Sequence, residues 1–414
     1  MQVLAGKQIK QTVTQSPGTD FDRRTEAEAA ALTVLISDFH RHGGGHTVYT
    51  VILSKGLQAL GHRPIVACPP ASHLAIECAK NSIEVFDIFR FDRGFSPVSF
   101  YLDLAALESM KRKNRIDVLH VSGSRDHWTM AASNLFSAEK LPLVRTRHST
   151  KEVRDSVFNR YLNRKLTHRT ISVCHYVKEM LLQSPVFNGT DIDVIHNGVE
   201  LEAFRPMPPD RRIVDEFQIT PADFVIGIVG RLDWDKGHKY LFEAAAPLIK
   251  GEYKNVRILA VGFGRERENL EEMCRQLGIA HRVNFLGHRL DMRELISVFD
   301  IGVHPSIGID TSSYAVKEMM AMEKPVVCSS YGGLKEIVED GTTGYLVPPH
   351  DSAALRAGIK RMLDSKELRE SMGRAARRRV EREFSAEVFA RKTLRVYENA
   401  LESVRKPLGS VKVK

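Results

Sequence analysis

Twice in this chain a short apolar run breaks into a glycine-bearing turn and passes directly into a segment with helical spacing. The first instance is Leu32–Ser37 (LTVLIS), then DFHRHGGGH through His46, then Thr47–Leu60. The second is Phe224–Val229 (FVIGIV), then Gly230–Gly237 (GRLDWDKG), then His238–Lys250. A strand that feeds a helix and then a further strand builds a parallel sheet by crossover. Such sheets bind ligands outside the carboxyl ends of their strands. The loops after these two strands are therefore the first places to look for chemistry.

The pattern continues in both halves. In the first, strands are expected at Arg63–Ala67, Ile83–Ile88, Asp117–Val121, Leu141–Thr146, Arg169–Val173 and Asp193–Ile195. Helices are expected between them at Ser99–Lys113, Trp128–Phe136, Asn159–Thr167 and Tyr176–Leu182. Val48, Val51, Ile52 and Leu60 are the expected core positions of the first helix. In the second half, strands are expected at Val256–Val261, Val283–Leu286, Asp300–Val303, Pro325–Cys328 and Tyr345–Val347. Between the halves, His196–Arg212 carries an Asn197-Gly198 turn and three prolines, which reads as a connection. A length of 414 residues also exceeds what one core supports.

The expected division is a loosely packed segment 1–30, an α/β domain 31–198 and a linker 199–215. A second α/β domain, 216–384, a helix 385–404 and a basic tail 405–414 follow. The start lacks the apolar core of a secretory signal. Five scattered cysteines without metal-ligand spacing suit buried free thiols in a reducing cytoplasm. A net charge of +9 leaves nucleic acid, anionic membrane and phosphorylated small molecules open as partners. No aromatic platform is interleaved with the basic residues, so nucleic acid is not expected. The first-domain set Arg145, Arg147, Lys151, Arg154, Arg160, Arg164, Lys165 and Arg169 suits an anionic membrane surface or a phosphate-rich acceptor instead.

The richest stretch is Ser306–Glu318, SIGIDTSSYAVKE. It follows an apolar strand and opens a helix that Lys324-Pro325 ends. Backbone N–H groups at a helix start, beside small hydroxyl residues, can receive a phosphate. Arg231 and Lys236 lie at the corresponding edge of the same expected sheet and fit a diphosphate. Glu318 can accept from two ribose hydroxyls. Gly43-Gly44-Gly45 lets backbone N–H groups approach an anion, although its spacing is neither a dinucleotide fingerprint nor a P-loop. His148, in RTRHST, sits among polar donors at a strand's carboxyl end. No histidine–aspartate metal cluster is read from the sequence, so no metal and no cofactor are expected.

In order, the segments HGGGH, IHNGVELEAFRP, GRLDWDKGHKYLFEA, VNFLGHRLDMRELISVFDIGVHPS and KEMMAMEKPVVCSSYGGLKEIVEDGTTGYLVPP resemble the retaining GT-B glycosyltransferases of family four, the glycosyl transferases group 1. The likeness covers about residues 32–400. It implies two facing doubly wound Rossmann-like domains with an interdomain cleft. It also implies transfer of a sugar from a UDP or GDP donor to a sugar or glycolipid acceptor, without metal. Lipopolysaccharide or other envelope synthesis is the expected setting, with a cytoplasmic location or one at the inner face of the membrane. By position, His148, Asp310 and Glu318 take catalytic roles; Gly44, Gly45, Arg231, Lys236, Arg289, Thr311, Ser312 and Glu318 would contact the donor. The helix 385–404 resembles the one that crosses back to the first domain. In the family motif two glutamates have seven residues between them; Asp310 replaces the first, one methylene shorter, and Thr311-Ser312-Ser313 replaces Gly-aromatic-Gly. Two alternatives stay open: a nucleotide-sugar-binding protein without transfer, or a nucleotide-sugar epimerase.

Overall fold

The computed structural model describes residues 31–92, 96–137, 139–308 and 310–405. The expectations for 1–30 and for nearly all of the basic tail lie outside them. The first seven strands are β1 (Thr33–Ser37), β2 (Arg63–Ala67), β3 (Glu84–Phe86), β4 (Val118–Val121), β5 (Leu143–Arg147), β6 (Arg169–Ser172) and β7 (Ile192–Val194). They form one sheet in the order β3-β2-β1-β4-β5-β6-β7, parallel throughout. The next six are β8 (Phe224–Val229), β9 (Val256–Val261), β10 (Val283–Gly287), β11 (Ile301–His304), β12 (Val326–Ser329) and β13 (Gly344–Val347). They form a second parallel sheet, β10-β9-β8-β11-β12-β13. In each sheet the order reverses beside the first strand, between β1 and β4 and between β8 and β11. That reversal splays the following helices apart and opens a crevice for ligand.

The strands read as continuous apolar runs because both sheet faces are covered. Val225, Ile226 and Ile228 of β8 are all but inaccessible, and each such side chain stabilises the fold by roughly 1.5–3 kcal/mol. Gly227 interrupts that run for a steric reason: a β-carbon there would lie 2.1 Å from the Phe299 ring.

The first helix, Gly45–Ala59, differs from its expected pattern. Val48 is 37% exposed, while Tyr49, Leu53 and Leu57 are buried. The C-terminal helix Ala386–Arg405 is the cause. Its Phe389, Val396, Tyr397 and Ala400 join those residues and Val34 and Ile36 of β1 in one cluster. Tyr49 belongs to that cluster despite its hydroxyl, which meets Thr146 Oγ1 at 2.8 Å. A β-carbon on Gly56 would lie 2.6 Å from the Ala390 β-carbon, so the two helices touch closely.

Two helices escaped the sequence reading because they are short. His73–Lys80 is capped by Ser72, whose side chain accepts from Ala75 N at 3.2 Å. Arg211–Glu216 lies in the expected linker and is capped by Asp210, whose carboxylate accepts from Arg212 N at 2.9 Å. Its Ile213 is buried in the core of the second sheet.

Candidate donor site

The crevice of the second sheet gathers Lys236, His304, Asp310 and the start of the helix Tyr314–Ala321. Lys236 ends a tight turn after β8, and Gly237 follows with φ +73°. A β-carbon on Gly237 would stand 2.0 Å from the Pro305 carbonyl oxygen. Only glycine allows both the left-handed backbone and this approach of the loop after β8 to the loop after β11. Gly237→Ala is therefore expected to destabilise the protein by more than about 1 kcal/mol and to weaken nucleotide binding. Thermal unfolding and calorimetric titration check the two effects.

The approach brings Lys236 Nζ to 3.1 Å from Asp310 Oδ2, and His304 Nε2 lies 2.7 Å from the same oxygen. Burial works to raise the Asp310 carboxyl, but its contacts with His304 and Lys236 outweigh it and hold it well below the usual carboxylate range. Asp310 thus stays charged, but the oxygen expected to face a sugar is engaged within the second domain. His304, the last residue of β11, went unnoticed because nothing in its sequence surroundings marks it.

Thr311 and Ser312 also differ from expectation. The Thr311 hydroxyl donates to the His148 carbonyl at 2.8 Å, tying the donor loop to the first domain. Ser312 Oγ accepts from Lys317 Nζ at 2.7 Å and faces Asn197 N at 3.4 Å. The Thr311 hydroxyl donates to the protein rather than to a phosphate, and Ser312 Oγ serves as an acceptor for Lys317 and Asn197. Lys317, unmarked in the sequence, is fully buried and also donates to the Asn197 carbonyl at 2.8 Å. Burial pushes its ammonium down to about 7. It pins the interdomain connection to the loop that opens the helix.

Glu318 is partly buried and has no hydrogen-bond donor on its carboxylate among the described residues. Burial pushes the acid up to about 7, with Lys317 working in the opposite direction. An unpartnered carboxyl one turn inside a helix that opens on a cleft has acceptor capacity to spare. Arg231, by contrast, is 64% exposed and pairs with Asp233 at 2.5 Å and Asp235 at 4.0 Å. Arg289 is held by Glu216 and Asp291 together, at 2.5 and 2.7 Å. Its guanidinium is occupied, which leaves only its backbone for a base. The sequence holds three Asp-x-Asp pairs, Asp20/Asp22, Asp191/Asp193 and Asp233/Asp235; the last two lie among the described residues, where Arg169 binds Asp191 and Asp193, and Arg231 binds Asp233 and Asp235.

The first domain supplies the facing wall. Gly44 adopts φ +153° and ψ −166°, a region open essentially to glycine alone, and precedes the helix Gly45–Ala59. A β-carbon on Gly45 would lie 3.8 Å from Tyr314 Cε2, so the glycine loop meets the start of the donor helix. His148 is half-buried, its ring 4.3 Å from that of His46 and 4.5 Å from that of Tyr49. Burial, then the neighbouring histidines, push its imidazole well below the usual range, so it is neutral. His40, His46, Arg147 and His148 line a cavity of about 430 Å³ on this side. No histidine–aspartate cluster is expected from the sequence, but the fold makes one: Asp38, His40 and His46 converge around the loop after β1. Their spacing matches no motif; only the reversal of the chain at the glycines brings them together.

Two parallel sheets of this order, with switch-point loops that meet across a cleft, define the GT-B glycosyltransferase architecture. Family comparison agrees over both halves. The description "Glycosyl transferases group 1" matches residues 210–379, and "Glycosyltransferase Family 4" matches residues 43–203. The chain belongs to the group 1 GT-B glycosyltransferases and is a glycosyltransferase enzyme. An uncharacterized glycosyltransferase of Methanocaldococcus jannaschii is 28% identical over 318 residues, 71% of this chain and 80% of that protein. The glycosyltransferase of Rickettsia africae superposes with a TM-score of 0.80 at 23% identity, covering 90% of this chain and 100% of that one. Anabaena HepE in complex with UDP and glucose superposes at 0.74 and 20% identity, covering 89% and 99%.

Proposed function

We propose that the protein transfers a sugar, with retention, from a nucleoside diphosphate donor to a hydroxyl of a sugar or glycolipid acceptor, with no metal on the diphosphate. The observation that carries this reading is the Lys236–Asp310–His304 triad beside the helix that presents Glu318. Lys236 is the cation that a departing diphosphate would meet, aided by the N–H groups at the start of the Tyr314–Ala321 helix. Glu318 accepts from the ribose hydroxyls. As the bond from the anomeric carbon to the phosphate oxygen breaks, the acceptor oxygen bonds to that carbon. The acceptor proton passes to the departing phosphate oxygen, so no strong protein base is needed. His148 stays neutral and orients the sugar from the first domain. UDP is the first donor to try, because HepE holds it within the same fold; GDP is the second.

Incubation with UDP- and GDP-sugars is expected to release nucleotide at a substantial rate only with an acceptor present, and the product anomer is expected to keep the donor's configuration by NMR. Turnover without acceptor would identify an epimerase instead, and an inverted product would remove the retaining mechanism.

A peripheral membrane contact, in envelope polysaccharide or lipopolysaccharide synthesis, fits one surface of the first domain. The helix Val157–Tyr161 exposes Val157 (79%), Phe158 (75%) and Tyr161 (50%) beside Arg154, Arg164 and Lys165. Apolar rings flanked by cations suit an anionic bilayer interface. Among the described residues no helix is long and apolar enough to cross a membrane. Phe158→Ser with Lys165→Ser is expected to reduce sedimentation with phosphatidylglycerol vesicles several-fold, and ~0.5 M salt to do the same to the native chain. Salt-insensitive sedimentation would remove this surface.

A further inference from the structure

Where the loop after β1 enters the first helix, two buried polar atoms face one another without a hydrogen bond. Asp38 follows β1 directly and is 1% exposed. Its Oδ1 accepts from His40 N at 3.0 Å and meets His40 Nδ1 at 2.5 Å. Its Oδ2 has no hydrogen-bond partner. His46 Nδ1, also buried and without a partner, stands 3.8 Å from that oxygen. That separation is too long for a hydrogen bond. Leaving a buried polar group unsatisfied costs about 1–3 kcal/mol, and more when it is charged.

One ion resolves both. Zinc bonds to histidine nitrogen and carboxylate oxygen at about 2.0–2.2 Å. Two such bonds in tetrahedral geometry span roughly 3.3–3.5 Å, so the observed 3.8 Å needs only a small closure. The coordinating atoms of Asp38, His40 and His46 all lie within 4.8 Å of one another. The ligands sit on firm supports: Asp38 at the end of a central strand, His46 in the first turn of a helix, and the two imidazoles 4.0 Å apart ring to ring. Two imidazoles and one carboxylate with an open position form a donor set for a divalent transition metal rather than for calcium or magnesium.

We propose that Asp38, His40 and His46 form a three-ligand site for a divalent transition-metal cation of the zinc class, its open position turned to the acceptor-side cavity. His40 and His46 line that cavity together with Arg147 and His148. The open position takes an oxygen ligand there, a hydroxyl or phosphate oxygen. The site is separate from the donor diphosphate and does not rest on the transfer reaction proposed above, so either can fail alone.

The test uses the full chain, free of any affinity tag and stripped with a chelator. Calorimetric titration with Zn²⁺ is expected to give one tight equivalent, and Co²⁺ to give the visible absorption of a tetrahedral or five-coordinate site. His46→Gln and His40→Gln, each losing a ligand with a ring about one-third exposed, are expected to weaken Zn²⁺ binding by at least tenfold. His281→Gln, an exposed histidine of the second domain, is the control and is expected to change nothing. Circular dichroism confirms folding of each variant, and the two histidine variants decide the matter if Asp38→Asn fails to fold. Absence of a stoichiometric equivalent in the native chain, or affinity unchanged in both His40→Gln and His46→Gln, would overturn the proposal.

Discussion

Lys236→Ala is expected to lower kcat by about 10²–10³-fold, the usual loss when one preorganised group that stabilises developing charge is removed. The leaving diphosphate gains charge as the glycosidic bond breaks, and Lys236 is only 15% exposed, so its attraction is little screened by water. The residue's second role bears on stability. Its loss leaves Asp310 with His304 alone, and the His304 contact at 2.7 Å keeps that buried carboxylate from standing unpaired. The fold is therefore expected to survive, with a lower melting temperature. Arg231→Ala serves as the contrast. Arg231 is 64% exposed and already shared between Asp233 and Asp235. Its loss is expected to change kcat by less than about tenfold, in line with the small worth of exposed ion pairs. Equal effects of the two substitutions would mean that the phosphate sits further out than Lys236.

Glu318→Ala carries the second large effect, on donor binding. Hydrogen bonds to a charged acceptor are worth about 1.5–3 kcal/mol, which corresponds to a loss of roughly 10–150-fold in nucleotide affinity. The acidity of this residue gives a sharper signature. Its carboxyl is pushed up to about 7 by burial, and the charged form is the acceptor a ribose needs. The nucleotide-free protein carries the proton below that value, so affinity is expected to fall as pH drops from 8 to 6, by at most tenfold per unit. Lys317, its sequence neighbour, is pushed down to about 7 by burial and gains a proton over the same range. The nucleotide's terminal phosphate titrates nearby as well. Glu318→Gln in the same buffers is the reference, and the part of the slope due to Glu318 is expected to vanish there. A slope that persists unchanged in Glu318→Gln would assign the pH dependence to the other two groups.

The two sheets were legible because parallel strands buried on both faces leave long apolar runs, as in FVIGIV of β8, and because glycine turns separate them from their helices. The phase of the first helix was not, because Tyr49, Thr50 and Ser54 look polar and the helix that buries them, Ala386–Arg405, is more than three hundred residues away in the chain. The site divides along the same line. Lys236, Glu318 and the glycine loop are expected at the cleft from the sequence because the turns and helix that carry them follow strands whose carboxyl ends face it. His304, Lys317 and the commitment of Thr311 and Ser312 could not. A side chain's partner is fixed by packing between loops, and two of those partners, His148 and Asn197, lie more than a hundred residues from Thr311 and Ser312. Asp310 shows the limit most clearly. Its position identified it, whereas its orientation came from His304 and Lys236 together.

Calorimetric titration of UDP and GDP into the native chain, Lys236→Ala and Glu318→Ala tests the donor site most directly. The native chain is expected to bind one of the two nucleotides at a single site, and each variant to bind it at least tenfold more weakly while keeping a native circular dichroism spectrum. Native-like affinity in both folded variants would contradict the placement of the donor between Lys236 and the helix Tyr314–Ala321.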